Sequence, residues 1–191
     1  MARRLTSGSG IDVRDFTSVK SVKVRVPDPD RLVHLQFRRF AGCPICHTHL
    51  RSFARRQEEV QAAGIREVVF FHTGADELWE HTDALPFDVI ADPDKRVYRQ
   101  FGVEAGRSSL LRPGAWWGMV RGAVPTTVGI LRKRILPPPS KPEGGRLGLP
   151  ADFLIEPSGR VLAAKYGEHA NDQWTVDTLL KLAATAETSK R

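Results

Sequence analysis

The sequence predicts an α/β fold, with one domain whose central, mainly parallel β-sheet is flanked by helices and closed by an antiparallel hairpin. Three observations carry this. Val33, Leu35 and Phe37 alternate with His34, Gln36 and Arg38, the period of two expected of a half-buried strand. Leu50, Phe53, Ala54, Gln57 and Val60 then fall at helical spacing, with Arg51, Arg55, Glu58 and Glu59 on the outer face. Val68-Val69-Phe70-Phe71 is an unbroken apolar run, as in a strand covered on both faces.

The remaining elements follow in order. Residues 1–21 read as a polar, partly ordered lead. Val22, Val24 and Val26 form a short strand before the Pro27-Asp28-Pro29-Asp30 turn. Gly64 stops the first helix. Ala75 to Leu85 form a second helix, and Val89-Ile90 a brief strand. Asp92-Pro93-Asp94 supply an N-cap, an N1 proline and a first-turn acid for a helix burying Val97, Tyr98 and Phe101. Residues 105–148 change character, with Trp116-Trp117, Arg132-Lys133-Arg134 and Pro137-Pro138-Pro139, and read as an insertion. Ala151–Ile155, a Pro157-Ser158-Gly159 turn and Val161–Ala164 make a hairpin, and a last helix turns Trp174, Val176, Leu179, Leu180 and Ala183 inward. Strands joined by helices require a parallel sheet. The single domain is expected over 22–185, with a tail at 186–191.

With 191 residues and 41% hydrophobic content the chain can build one core. No apolar run approaches the roughly 20 residues of a membrane span, and Arg3-Arg4 lack the apolar stretch of a secretory signal. A cytoplasmic protein without stable membrane association is expected. The net charge of +7 is spread over helix faces and both ends rather than gathered in a recognition motif, so no nucleic-acid partner is expected.

Chemistry concentrates in Gly42-Cys43-Pro44-Ile45-Cys46, which holds both cysteines of the chain at a strand-to-helix turn. A helix N-terminus lowers a thiol's pKa, and a second thiol one turn on can close a disulfide. Cys43 is therefore expected to be the exposed, ionised nucleophile and Cys46 the resolving thiol. Pro44 suits the first helical turn. Its neighbour Ile45 brings no charge, so activation falls to the helix end with Arg38 or His47. A zinc site of Cys43 and Cys46 with His47 and His49 is the rival reading, but four ligands within seven residues rarely close a tetrahedron. No metal or cofactor is expected.

Four blocks together resemble the thioredoxin fold, and more narrowly the peroxiredoxin-like proteins of the alkyl hydroperoxide reductase / thiol-specific antioxidant family. They are Gly42–Cys46, Val68–Phe71, Pro86–Asp94 with Val97–Val103, and Pro150–Ile155 with Gly159. The resemblance implies a three-layer thioredoxin-like fold and an oxidoreductase reducing disulfides or peroxides through a Cys43–Cys46 couple. It also implies regeneration by an external thioredoxin- or glutathione-like thiol, with a homodimer left open. Where typical members carry a threonine and a proline before the reactive cysteine, Phe40 and Gln36 stand. Pro150 occupies the place of their peroxide-orienting arginine. The resemblance implies that Pro150 is instead a cis-proline lying against the cysteines.

Two supporting positions complete the site. Asp152 is read as a proton acceptor for Cys46 through water, or as an exposed strand residue. Trp116, with Trp117, reads as a lid or partner surface, or as a helix packed on the sheet. As a partner surface, the Trp116/Trp117 insertion would serve the alternative function, a non-catalytic thioredoxin-like protein-binding module.

Overall fold

The computed structural model describes residues 4–103 and 148–188. Its elements are β1 (Arg14–Thr17), β2 (Lys23–Val26), β3 (Leu32–Arg38), α1 (Pro44–Arg55), α2 (Gln57–Ala62), β4 (Ile65–Phe71), α3 (Ala75–Thr82), β5 (Asp88–Ala91), α4 (Arg96–Gln100), β6 (Ala151–Ile155), β7 (Val161–Tyr166) and α5 (Val176–Thr188). Among the described residues the main sheet runs β5-β4-β3-β6-β7. Strand β4 pairs in parallel with β3 and β5, while β6 lies antiparallel to both β3 and β7. The closing hairpin therefore docks directly against the strand that leads to the cysteines.

Three layers result. On one face, Ile45, Leu50 and Phe53 of α1, Val60, Leu78 and Leu179 pack on Val69 and Phe71. On the other, Val97, Tyr98 and Phe101 join Val24 and Val26 over Phe37, Phe70 and Phe153. Phe37 is fully buried, and its ring contacts those of Phe70, Tyr98, Phe101 and Phe153.

Three expectations need correction. The lead contains β1, which pairs antiparallel with β2. Further back it is strapped to the last hairpin, where Gly8 N–H donates to Val161 C=O at 2.8 Å and Ile11 N–H to Gly159 C=O at 2.9 Å. The first helix breaks at Arg56, whose backbone leaves helical geometry, before α2 resumes. Helix α4 starts later than expected, because Lys95 is left-handed (φ 54°). Asp92 still caps it, its carboxylate accepting the N–H groups of Arg96, Val97 and Tyr98 at 2.9, 2.8 and 3.2 Å.

The largest departure is β3. Its polar residues His34, Gln36 and Arg38 were expected at the surface, yet all are 0% exposed. Helix α1 and the segment leading into α5 cover that face: the His34 ring lies 5.4 Å from Phe53 and 5.7 Å from Trp174. Partners on the neighbouring strands satisfy the row. His34 Nδ1 lies 2.9 Å from Glu67 Oε1 of β4, and Nε2 lies 3.3 Å from Asp152 Oδ1 of β6. Gln36 bridges Glu67 and Arg38. Arg38 Nη2 donates to Asp152 Oδ1 at 2.6 Å.

Truncating Phe37 to Ala should cost about 3–5 kcal/mol in denaturant unfolding, the usual loss for a buried aromatic ring. Burial works against the charge of His34, but Glu67 and Asp152 outweigh it and raise its pKa from 6.5 to about 9. A raised pKa means stabilisation present below the unfolded value and lost as pH climbs through the folded one. His34 should therefore contribute stability that is lost between pH 6.5 and pH 9, read as the difference in urea midpoint between wild type and His34→Gln narrowing across that range.

Candidate active site

Strand β3 ends at Arg38, and Arg39-Phe40-Ala41-Gly42 carry the chain round to α1. Gly42 sits at φ +72°, a backbone region that side chains rarely adopt, which lets the turn close tightly ahead of Cys43. Cys43 is the N-cap of α1, and its carbonyl accepts the His47 N–H at 2.9 Å. Pro44 occupies the first helical turn as expected. One turn on, Cys46 comes beside Cys43. Both thiols are free, line the same small cavity and act strongly on one another's titration.

The expectation of an exposed, ionised Cys43 is corrected. Both cysteines are only 2% exposed. The hydrogen bond to Cys46 and burial push the Cys43 thiol well up. Cys46 moves the other way, to about 6: the hydrogen bond from Cys43 favours its thiolate, burial opposes it, and the Arg39 guanidinium, the Arg39 backbone and Arg38 favour it again. The two thiols titrate as a pair, one raised at the other's expense. The Arg39 guanidinium favours a thiolate on either sulfur, and Arg38 adds to it at Cys46.

Arg39 is the functional residue that sequence reasoning missed. It is 4% exposed, with its guanidinium carbon 5.3 Å from the Phe40 ring centroid. Gly148, at the start of the lead into β6, lies so close that a Cβ there would stand 3.5 Å from Arg39 Cγ and 3.0 Å from His72 Nε2. The only sequence signal was a second arginine beside Arg38, and nothing in a strand pattern says that the residue after the last rung turns inward.

Arg38 belongs to the interior row rather than to the cysteine surface, and acts on Cys46 through space. Asp152, 0% exposed, is not an exposed strand residue. Burial works to raise its carboxyl, yet Arg38 and His34 hold it well below the usual carboxylate range. Its second oxygen accepts the Trp174 N–H at 3.2 Å. It fixes Arg38. Pro150 also departs from expectation: among the described residues the cis peptide is Val26–Pro27, so Leu149–Pro150 is trans. The Pro150 carbonyl accepts the Gly167 N–H at 2.8 Å.

The histidines separate. His49 turns to the interior row, with Nε2 3.0 Å from Arg38 Nη2. His47 instead lines a cavity of ≈ 10 Å³ with Cys43, Cys46, Leu50, His81 and Leu85. The four zinc ligands of the rival reading are thus not brought together, and among the described residues no three His, Cys, Asp or Glu side chains converge as metal ligands. Burial, Arg51 and His81 lower the His47 pKa to about 4. His81 of α3, which no sequence spacing linked to the cysteines, reaches the same cavity. Trp116, with the rest of the insertion, lies outside the described residues. Among the described residues no helix is long and apolar enough to cross a membrane.

The sequence profile of the AhpC/TSA antioxidant enzyme family matches residues 52–169, more than half of the chain and beginning just past the cysteines. No curated protein matches the sequence. Solved structures with the same fold include peroxidoxin BcpB from Mycobacterium tuberculosis, 16% identical at a TM-score of 0.65 over 97% of this chain and 98% of that one. The peroxiredoxin 6 of Arenicola marina is 13% identical, with a TM-score of 0.69 over 98% and 76%. The reduced 2-Cys peroxiredoxin of Plasmodium vivax is 10% identical, with a TM-score of 0.66 over 97% and 84%.

Thiolate absorbance should titrate with a midpoint near pH 6, and Cys43→Ala or Arg39→Gln should each move that midpoint upward. Asp152→Asn leaves Arg38 and His34 buried without their shared counter-charge, and should cost about 3–5 kcal/mol in urea unfolding.

Proposed function

The chain belongs to the AhpC/TSA antioxidant enzyme family, and from that premise we propose that Cys46 and Cys43 are its reactive pair, reducing a small peroxide. As a member of that family the protein is a thiol-dependent antioxidant oxidoreductase, for which a peroxide is the general substrate and a thiol the general reductant. The dithiol itself precedes the matched residues, so its assignment stands on geometry. One observation carries it: two adjacent buried thiols at the N-terminus of α1, beside buried Arg39, open on a cavity of ≈ 10 Å³. That is about the space one water molecule needs. So small a space favours hydrogen peroxide over a bulky hydroperoxide or a protein disulfide.

The Cys46 thiolate attacks one peroxide oxygen, so that an S–O bond forms as the O–O bond breaks and the second oxygen leaves as hydroxide, which takes up a proton to become water. The Cys43 sulfur then attacks the Cys46 sulfur and displaces its hydroxyl as water, closing the disulfide. Arg39 and Arg38 stabilise the thiolate. Asp152 positions Arg38, His47 borders the reacting atoms, Pro44 starts the helix, and Pro150 leads into β6 two residues after Gly148. Two external thiol groups, from a thioredoxin- or glutathione-like donor, regenerate the pair, which fits a reducing cytoplasm.

One equivalent of hydrogen peroxide should consume two thiols in the wild type. Cys46→Ser should abolish the reaction. Cys43→Ser should stop at a sulfenic acid that dimedone traps. Cumene hydroperoxide should react at least about 10-fold more slowly, the scale on which a pocket rejects excess apolar bulk. Unchanged thiols in the peroxide-treated wild type would sink this reading.

A further inference from the structure

The reading above leaves a proton unaccounted for, and this inference rests on that reading. When the dithiol reduces hydrogen peroxide, the two sulfurs lose two electrons, the O–O bond breaks, the S–S bond forms, and both oxygens leave as water. Two waters need four hydrogens. Peroxide brings two, and the thiol of Cys43 brings one. Cys46 brings none, because it enters the reaction as the thiolate that accepts the Cys43 hydrogen bond. Without one more proton, hydroxide would be released into a cavity walled by Leu50 and Leu85, and an unpaired buried charge is costly.

Besides the cysteines, the titratable side chains lining that cavity among the described residues are two imidazoles, His47 and His81. They are not equivalent. His47 lies on α1 near Arg51, which opposes its protonation, and its Nε2 is sealed from water without a hydrogen-bond partner among the described residues. His81 lies on α3 and is partly exposed; burial lowers its pKa, and the neighbouring Glu80 carboxylate opposes that shift. Of the two it is the one beside an acid.

We propose that His81 is the proton donor of the dithiol site, delivering to the departing hydroxide the one proton that the two thiols cannot supply. The imidazole reloads from solvent at its exposed side. Over the whole cycle the Cys46 thiolate, the Cys43 thiol, hydrogen peroxide and one proton become a disulfide and two waters. A second histidine at the cavity then has a distinct part: His47 remains neutral beside the thiolate.

The test is single-turnover oxidation of the reduced full-length chain by hydrogen peroxide, read as loss of free thiols, alongside thiolate absorbance against pH. His81→Gln should slow disulfide formation by about 10²-fold, the usual contribution of a positioned proton donor. The thiolate midpoint should stay where it is in the wild type. In His81→Ala, added imidazole should restore part of the lost rate. A His81→Gln variant as fast as wild type overturns the proposal. So does a slowed variant whose thiolate midpoint has moved, or whose alanine counterpart imidazole does not rescue, since either marks an electrostatic or packing role. Wild type that fails to react with peroxide removes the dithiol reading itself, and is told apart because no His81 variant is needed to see it.

Discussion

Arg38 and Asp152 meet at 2.6 Å in the centre of the molecule, with both side chains fully buried. Removing a charge from water costs several kcal/mol per ion unless it is paired and its remaining valences are filled. That constraint organises the surrounding chain. Asp152 also faces His34, His34 faces Glu67, and Gln36 bridges Glu67 back to Arg38, so charges alternate along one face of three adjacent strands. A register slip by one residue in β3 or β6 would move these groups to the opposite face and strand every one of them. The row therefore specifies the β4-β3-β6 alignment, and through it where the turn carrying Cys43 and Cys46 is presented.

The same row sets the chemistry at its end. A thiolate in a site this dry needs fixed positive charge nearby. Arg38 supplies part of it from within the sheet, held by Asp152. Arg39, one residue on, supplies more from the turn, steadied by the Phe40 ring and the close approach of Gly148. The N-cap position of Cys43 would by itself favour a thiolate there. Here the neighbouring thiol, burial and the Arg39 and Arg38 guanidinium groups act on the pair as well. The helix-end argument used on the sequence was sound physics applied without its competitors.

Much of the architecture was legible in the chain. The apolar run at β4, the helical spacing after Cys46, the Asp92 cap and the closing hairpin all fall where the pattern put them. These are local signals, set by side-chain period and backbone preference. What misled was β3, where an alternating pattern normally marks one wet face. Here histidine, glutamine and arginine are polar and yet buried, because complementary partners lie 31 to 118 residues away. No local pattern can show that. The unexpected β1 has the same cause: Arg14–Thr17 is a weak strand alone, and becomes one by pairing with β2.

By itself, the sequence determined the order of elements, the presence of one adjacent thiol pair at a strand-to-helix turn, and the family to which these belong. Those depend on near neighbours in the chain. Only the tertiary structure decided that both sulfurs are shielded from water, that buried Arg38 and Arg39 lie near them, and that His81 borders them while His49 does not. Each of those follows from burial and from the distance between groups remote in sequence, and the electrostatics of a thiol depends on what surrounds it in space.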